Sequence, residues 1–358
     1  MIDTVDVFYE FPNRSFYNTC YQSVDSLSRS HGQALHRDGK CLYFTTAFAS
    51  VGILRIGFQK TKYQYRCHIL LQPARCIRAK TNIFLAQASD FGEVCRRMDK
   101  FFGFINLHCG NKVLPPLRSW RVKRIDYAVN METPYAAEYI RLFYAGNLPK
   151  GFELPLRHDS SFYLKSESAN INFYDKLQQL KDSRNCTDED IARELHGNPV
   201  GLLRLEVQCR NKYIQHLKER HHLSDTTLPY LWDANIASHE LGSKISSVIG
   251  KQDFFPYEIC EKYLECCYGR RTLSLCCQIV RTFRNRSDLN LHDVKEVLPN
   301  ASQKQFASLL HKIRKAGINP IPLEAAMMED EAKRIGCLEN PYRQILPAIS
   351  QSDGQIFA

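Results

Sequence analysis

The sequence predicts an α+β fold: an antiparallel sheet with flanking helices, followed by a smaller all-helical domain. Two observations carry that prediction. Strand-like and helical runs mix through the first two-thirds of the chain, whereas from about Asn211 onward the apolar periodicity is helical. Three of the strand-like runs also alternate apolar and polar residues, as strands do when one face packs in a core and the other does not. The 358 residues are 44% hydrophobic and 24% charged, enough for one large domain or two ordinary ones with packed cores. The expected division is 1–225, 226–345 and a tail at 346–358.

In chain order, "TVDVFYEF", "KCLYFTTAFAS", "VGILRIGFQ" and "QYRCHILLQ" read as strands and "DFGEVCRRMDKFFGFINLHCG" as a helix. "WRVKRIDYAVNM" is the next strand. "TPYAAEYIRLFYAGN" carries a helix start, with Thr133 as N-cap and Pro134 at the first helical position. "SFYLKS" and "NINFYDK" are strands, with Lys176 read as part of the second. The acidic stretch "DSRNCTDEDIARELHGNP" reads as a loop holding a short helix, and "GLLRLEVQC" returns to strand. Farther on, "PYEICEKYLECC" and "LSLCCQIVRTF" are helical and apolar on one side. In "SQKQFASLLHKIRKAGI", Ser302 and Gln305 form a capping box. Phe306, Leu309, Leu310 and Ile313 make one stripe there, and Gly317 ends the helix. No internal repeat or low-complexity tract is evident.

The net charge is +10, from 48 basic and 38 acidic residues, which suits a polyanionic partner. Much of the excess lies between Arg270 and Lys315, where ten Lys/Arg face three acids. Arg281, Arg284, Arg286, Lys312, Arg314 and Lys315 belong to this segment, which reads as a phosphate-contacting surface or as a solvated helical face. No apolar run is long enough to span a membrane, and the N-terminus lacks the pattern of a secretory signal. The 14 cysteines then read as reduced thiols of a cytoplasmic protein. Five cluster between Cys260 and Cys277 without a CxxC pair, and read as small buried apolar residues rather than zinc ligands.

Alternation sorts the three strands by face. Ile125, Tyr127 and Val129 point one way, and Arg124, Asp126, Ala128 and Asn130 the other. Leu203, Leu205 and Val207 oppose Arg204, Glu206 and Gln208, while Ile171 and Phe173 oppose Asn172, Tyr174 and Lys176. In one sheet, Asp126, Glu206, Tyr174 and Lys176 would converge on an exposed surface. Two carboxylates from different strands suit Mg²⁺ or Mn²⁺. A phenol, with its usual pKa near 10, needs such a cation and a lysine nearby to act as a nucleophile. The plainer reading is a solvated sheet face with Arg124–Asp126 and Arg204–Glu206 ion pairs.

The order of "RIDYAVN", "NFYDKLQQL" and "GLLRLEVQCRNKYI" resembles the replication initiation proteins of the phage/plasmid II/X family. So do "MIDTV", "LQPARCIRAKTNIF" (Pro73, Ala74 and Arg75 before Asn82, Ile83 and Phe84) and the helical "CQIVRTF...SQKQFASLLHKIRKAGI". The similarity spans roughly residues 1 to 325. It implies a rolling-circle initiator, an endonuclease and strand transferase that nicks one origin strand through a 5′-phosphotyrosine and later rejoins it. Carried over, Tyr174 is the nucleophile, Asp126 and Glu206 hold Mg²⁺ or Mn²⁺, and Lys176 assists at the scissile phosphate. Arg124 and Arg204 orient the carboxylates or contact DNA, together with the basic C-terminal helices. The implied partners are single-stranded or supercoiled origin DNA, with a host helicase and polymerase. Many rolling-circle nucleases carry a His-hydrophobic-His metal motif, which is missing here. His68 stands either as a third ligand or as a satisfied histidine, and the same two readings apply to His158 and Asp159, just before the tyrosine hairpin.

Two other readings stay open. "HKIR" (His311 to Arg314) with Tyr342 downstream fits a tyrosine recombinase. A non-catalytic origin- or RNA-binding protein would need only the basic helices.

Overall fold

The computed structural model describes all residues except 40–41, 78–80, 154–157, 159, 183–186, 196–199, 286–288, 324–335 and 346–358. The elements follow in this order: β1 (Ile2–Glu10), α1 (Arg14–Ser30), β2 (His36–Asp38), β3 (Leu42–Thr45), β4 (Ile53–Lys60) and β5 (Tyr65–Leu71). Next come α2 (Pro73–Ile77), α3 (Phe91–Cys109), β6 (Arg121–Glu132), α4 (Ala136–Tyr144), β7 (Ser161–Lys165) and β8 (Ala169–Asp175). These lead to α5 (Lys176–Asp182), α6 (Asp188–Glu194), β9 (Leu202–Arg210) and α7 (Asn211–Arg220). The remainder is helical: α8 (Leu228–Leu231), α9 (Ala234–Ile249), α10 (Tyr257–Cys267), α11 (Arg270–Asn285), α12 (Val294–Val297) and α13 (Gln303–Lys315). The α+β class with a helical C-terminal region is as the alternation predicts.

The described strands form one nine-stranded sheet in the order β2-β3-β4-β5-β1-β6-β9-β8-β7, with every neighbouring pair antiparallel. Its apolar face, including Val5, Ile69, Ile125, Phe173 and Leu205, is buried in the main core. Helices α1, α4, α7 and α9 pack against the strands on that side. Helix α9 lies beyond residue 225 yet packs on β6 and β9, so the sheet's helical cover draws on both sides of that position. No helix among the described residues is long and apolar enough to cross a membrane.

Three local expectations need correction. Thr133 does not cap α4, which starts at Ala136 after Tyr135; Thr133 Oγ1 instead accepts from the Tyr135 N–H in a turn. Lys176 is not on β8: the strand stops at Asp175, whose carboxylate accepts from the Leu177 and Gln178 amides and starts α5. Of the run expected as strand from Lys40 to Ser50, whose first two residues lie outside the described ones, Leu42–Thr45 is strand and the chain then turns through a 3₁₀ segment. Helix α1 drew no prediction, although Asn13 caps it and Tyr17, Cys20, Val24 and Leu27 form its buried stripe.

The fourth correction is an internal repeat. Apart from the three-residue edge strand β2, which only the first half has among the described residues, each half runs strand, helix, three strands, and the last strand returns to pair with the first: β1-α1-β3-β4-β5 and β6-α4-β7-β8-β9. The halves meet across the β1–β6 pair, where Val5 faces Ile125. About that pair Asp6 corresponds to Asp126. Phe8, two residues on from Asp6, pairs with His68; Ala128, two on from Asp126, pairs with Glu206. His68 in turn faces Gly57, and Glu206 faces Asn172. Hence "IGFQ" at 56–59 stands where "INFY" stands at 171–174.

The chain enters β9 through Gly201 at φ +155°, where an added Cβ would lie 2.2 Å from the Thr133 carbonyl oxygen. That neighbour is backbone and cannot swing aside. Gly201→Ala is expected to lower stability by about 1–3 kcal/mol, read as a shifted denaturant midpoint. A midpoint equal to wild type would show that the loop adapts.

Candidate functional site

The polar face of β6, β9 and β8 carries the site. Asp126 and Glu206 sit diagonally on the neighbouring strands β6 and β9, and Tyr174 reaches Glu206 from β8. The face is not exposed as alternation alone suggests. Asp126 is 0% exposed, Glu206 4%, Tyr174 4% and Lys176 1%. The segment from Thr81 to Leu85, with α5, closes over one end of it. Ile83 packs in a small separate core with Leu177, Leu180, Ile191 and Leu202.

Each group has defined partners. Tyr174 Oη donates to Glu206 Oε2 at 2.8 Å. Glu206 Oε1 accepts from Asn172 Nδ2 (3.1 Å) and Gln208 Nε2 (2.8 Å). Arg124 grips both oxygens of Asp126, its Nε at 2.7 Å, so the expected ion pair forms. The expected Arg204–Glu206 pair does not. Arg204, fully buried, donates instead to Asp3 Oδ1 (2.6 Å), Asn130 Oδ1 (2.7 Å) and the Asn82 and Ile83 carbonyls. It positions the carboxylate cluster and the covering segment and is not placed to touch DNA. Lys176 Nζ donates to Asn82 Oδ1 (2.8 Å) and Gln179 Oε1 (2.7 Å), 5.8 Å from the centre of the Tyr174 ring.

Asp3 is a third buried carboxylate that the sequence reading missed. A bulge in β1 between Ile2 and Thr4 turns it onto the polar face, which strict alternation does not foresee. "MIDTV" carried a signal only through the family resemblance.

Electrostatics mark the cluster. Burial above all pushes the Glu206 and Asp126 carboxyls up. Asp3 adds to the Glu206 shift; Glu206 and Asp3 add to that of Asp126, against the pull of Arg124. Burial, then Glu206, holds the Tyr174 phenol well above its usual range, so it stays protonated. Arg124 and Arg204 each hold one of the acids, Asp126 and Asp3, whereas Glu206 has no arginine partner and is bonded only by Tyr174, Asn172 and Gln208. Asn170 Oδ1 and Asn172 Oδ1 are buried beside them without a hydrogen-bond partner. Carboxylates plus unpaired amide oxygens suit a hard divalent cation.

His68 does not belong to this set. It lies on β5, three strand positions from β9, or about 14 Å by strand spacing. Its Nε2 bonds Gln59 Oε1 at 3.1 Å. His158 is exposed, and Asp159 lies outside the described residues.

In the helical region, Arg281 and Arg284 lie over the Tyr257 ring; Arg281 Nη2 donates to its Oη at 2.9 Å, and Arg284 pairs with Glu258 at 2.9 Å. Lys312 lines a cleft of about 360 Å³ with Arg271, Gln278 and Gln305. Arg314 is half-buried, Lys315 is exposed, and Arg286 lies outside the described residues. Lys251 Nζ lies over the Tyr342 ring, 4.8 Å from its centre. His221, His239 and Glu240 have donor atoms within 4.8 Å of one another. Glu240 already accepts from Arg220 (2.7 Å) and Tyr213 (2.6 Å), which makes this cluster a clamp between α7 and α9.

No family model and no curated protein matches the chain. Among solved structures, the chain is similar to a rolling circle replication initiator protein from Geobacillus stearothermophilus. Identity is 9% and the TM-score 0.28, over 67% of this chain and 83% of that one. A likeness so remote fixes no residue correspondence.

Proposed function

We propose that this chain is a rolling-circle replication initiator, which nicks and rejoins one DNA strand at an origin through Tyr174. The observation that carries the reading is the Tyr174–Glu206 hydrogen bond inside a cluster of three buried carboxylates. Burying like charges together costs stability, and proteins keep such clusters where chemistry needs them.

Tyr174 Oη attacks the scissile phosphorus and its proton passes to Glu206. The Oη–P bond forms, the P–O3′ bond breaks, and the departing oxygen takes up a proton to become a 3′-hydroxyl. The Tyr174–Glu206 hydrogen bond already points the phenol proton at that carboxylate, which suits Glu206 as the acceptor. Asp126, Glu206 and Asp3, with the Asn172 amide oxygen, would hold Mg²⁺ or Mn²⁺. That ion would neutralise charge on the attacked phosphate. Lys176 holds Asn82 and adds positive potential beside the phenol. Half-exposed and exposed cations on the same sheet face (Arg55, Arg66, Arg121 and Lys123) and the basic helices α11 and α13 would receive the DNA backbone.

The test is a denaturing gel with labelled single-stranded DNA from the element's own intergenic region and Mn²⁺ or Mg²⁺. A metal-dependent covalent adduct is expected with wild type and none with Tyr174→Phe. An adduct that persists in the variant would move the nucleophile elsewhere. Tight, salt-sensitive binding with no adduct in either protein would favour the non-catalytic reading.

A further inference from the structure

The internal repeat places a second constellation where the first half echoes the site of the second. Asp6 stands for Asp126, His68 for Glu206 and Gln59 for Tyr174. Even the contacts correspond: His68–Gln59 repeats Glu206–Tyr174, and Arg66–Glu10 repeats Arg204–Asn130.

The bulges correspond as well, and there the charge reverses. Beside Asp126 and Glu206, the bulged residue of β1 is Asp3. Beside Asp6 and His68, the bulged residue of β6 is Lys123, 3.9 Å from the Asp6 carboxylate. An acid has become a lysine and a glutamate a histidine. Arg55 and Arg66 also lie close enough to disfavour a charged His68, although burial is the main cause. Such a site repels a divalent cation and attracts an anion. Without a tyrosine it has no equivalent nucleophile.

Two buried polar atoms here lack a hydrogen-bond partner, Asp6 Oδ1 and His68 Nδ1, in side chains that are 6% and 7% exposed. Half-buried Phe8 and Phe44 flank them on the same face, with Arg66 and Arg55 over their rings at 4.9 and 5.7 Å. Between Phe44 and His68 the strand register places Gly57, over which the Leu42 side chain leans, its Cδ1 3.3 Å from where a Cβ would be. Cations interleaved with aromatic rings make a platform for single-stranded nucleic acid.

We propose that this half of the sheet is a non-cleaving subsite for single-stranded DNA. Lys123, Arg55 and Arg66 take backbone phosphate, Phe8 and Phe44 stack bases, and the free atoms of Asp6 and His68 meet a base edge. The subsite rests on the proposed function for the identity of its ligand. It holds the strand a few strand-widths from Tyr174, so that one DNA segment crosses both halves.

The test is fluorescence anisotropy of the full chain with a labelled single-stranded oligonucleotide over a salt series. Arg55→Gln/Lys123→Gln and Phe44→Ala are each compared with the charge-matched control Lys218→Gln/Lys262→Gln on α7 and α10. Phe44→Ala removes no charge, and melting curves confirm folding. Both subsite variants are expected to bind about tenfold more weakly, and the charge variant to lose about 0.7 of salt slope for each phosphate contact removed. The control is expected to bind as wild type. Wild-type affinity in the subsite variants, or an equal loss in the control, would overturn the subsite. Wild type that binds without forming an adduct would remove the catalytic reading and leave the subsite standing; wild type that binds no DNA would remove both.

Discussion

Arg204→Met is expected to cost about 3–5 kcal/mol of stability at neutral pH, as measured by urea denaturation. Arg204 is fully buried, and its guanidinium joins Asp3, Asn130 and the backbone at Asn82 and Ile83. Methionine fills comparable space but supplies no charge. Asp3 would then lie buried near Asp126 and Glu206 without its cation, and two carbonyls of the covering segment would lose their donor. The penalty thus comes from the orphaned partners more than from the lost pair. A double-mutant cycle separates the two contributions. Asp3→Asn/Arg204→Met should recover a substantial part of the loss, because residue 3 then no longer carries a buried charge without its cation. A loss below about 1 kcal/mol in the single variant would show that water reaches Asp3, and that the cluster is not the dry site its burial indicates.

The fold class was legible because periodicity reports burial directly. Val5, Ile125 and Leu205 had to face a core, and they do. The site was half legible for the same reason. Alternation put Asp126, Glu206 and Tyr174 on one face without showing that the face is covered. Its cover is the segment around Asn82 and Ile83, distant in sequence and held by Arg204 and Lys176. Asp3 escaped because a bulge broke the period of two, and Lys176 was misplaced because Asp175 starts a helix. The repeat escaped for a different reason: its halves share strand order and register, but few identities beyond "IGFQ" and "INFY". Register lives in backbone pairing, and so does the correspondence of His68 with Glu206.

Glu206→Gln is expected to lower the nicking rate by a factor of about 10² to 10⁴ while making the protein more stable at neutral pH. Burial first, and then Asp3, raises the Glu206 carboxyl above its ordinary value of 4.5 in the folded state. Between the unfolded and folded values the native protein holds more protons than the unfolded chain. Stability therefore falls as pH rises through that window, and above it the full cost of the buried charge is present. Glutamine can still accept from Asn172 and Gln208 and can donate to the Tyr174 oxygen, so it keeps the packing without the charge. The two proteins should be equally stable below about pH 4, with the variant gaining as pH rises toward neutrality. Added Mn²⁺ or Mg²⁺ should raise the melting temperature of wild type at neutral pH and that of the variant less, because ion binding offsets the charge that the substitution removes. A variant that is less stable than wild type at pH 7 would mark Glu206 as a structural partner of Tyr174, and its loss of activity would then say nothing about proton transfer. A variant that is more stable and inactive places the cost of burying Glu206 where the chemistry is.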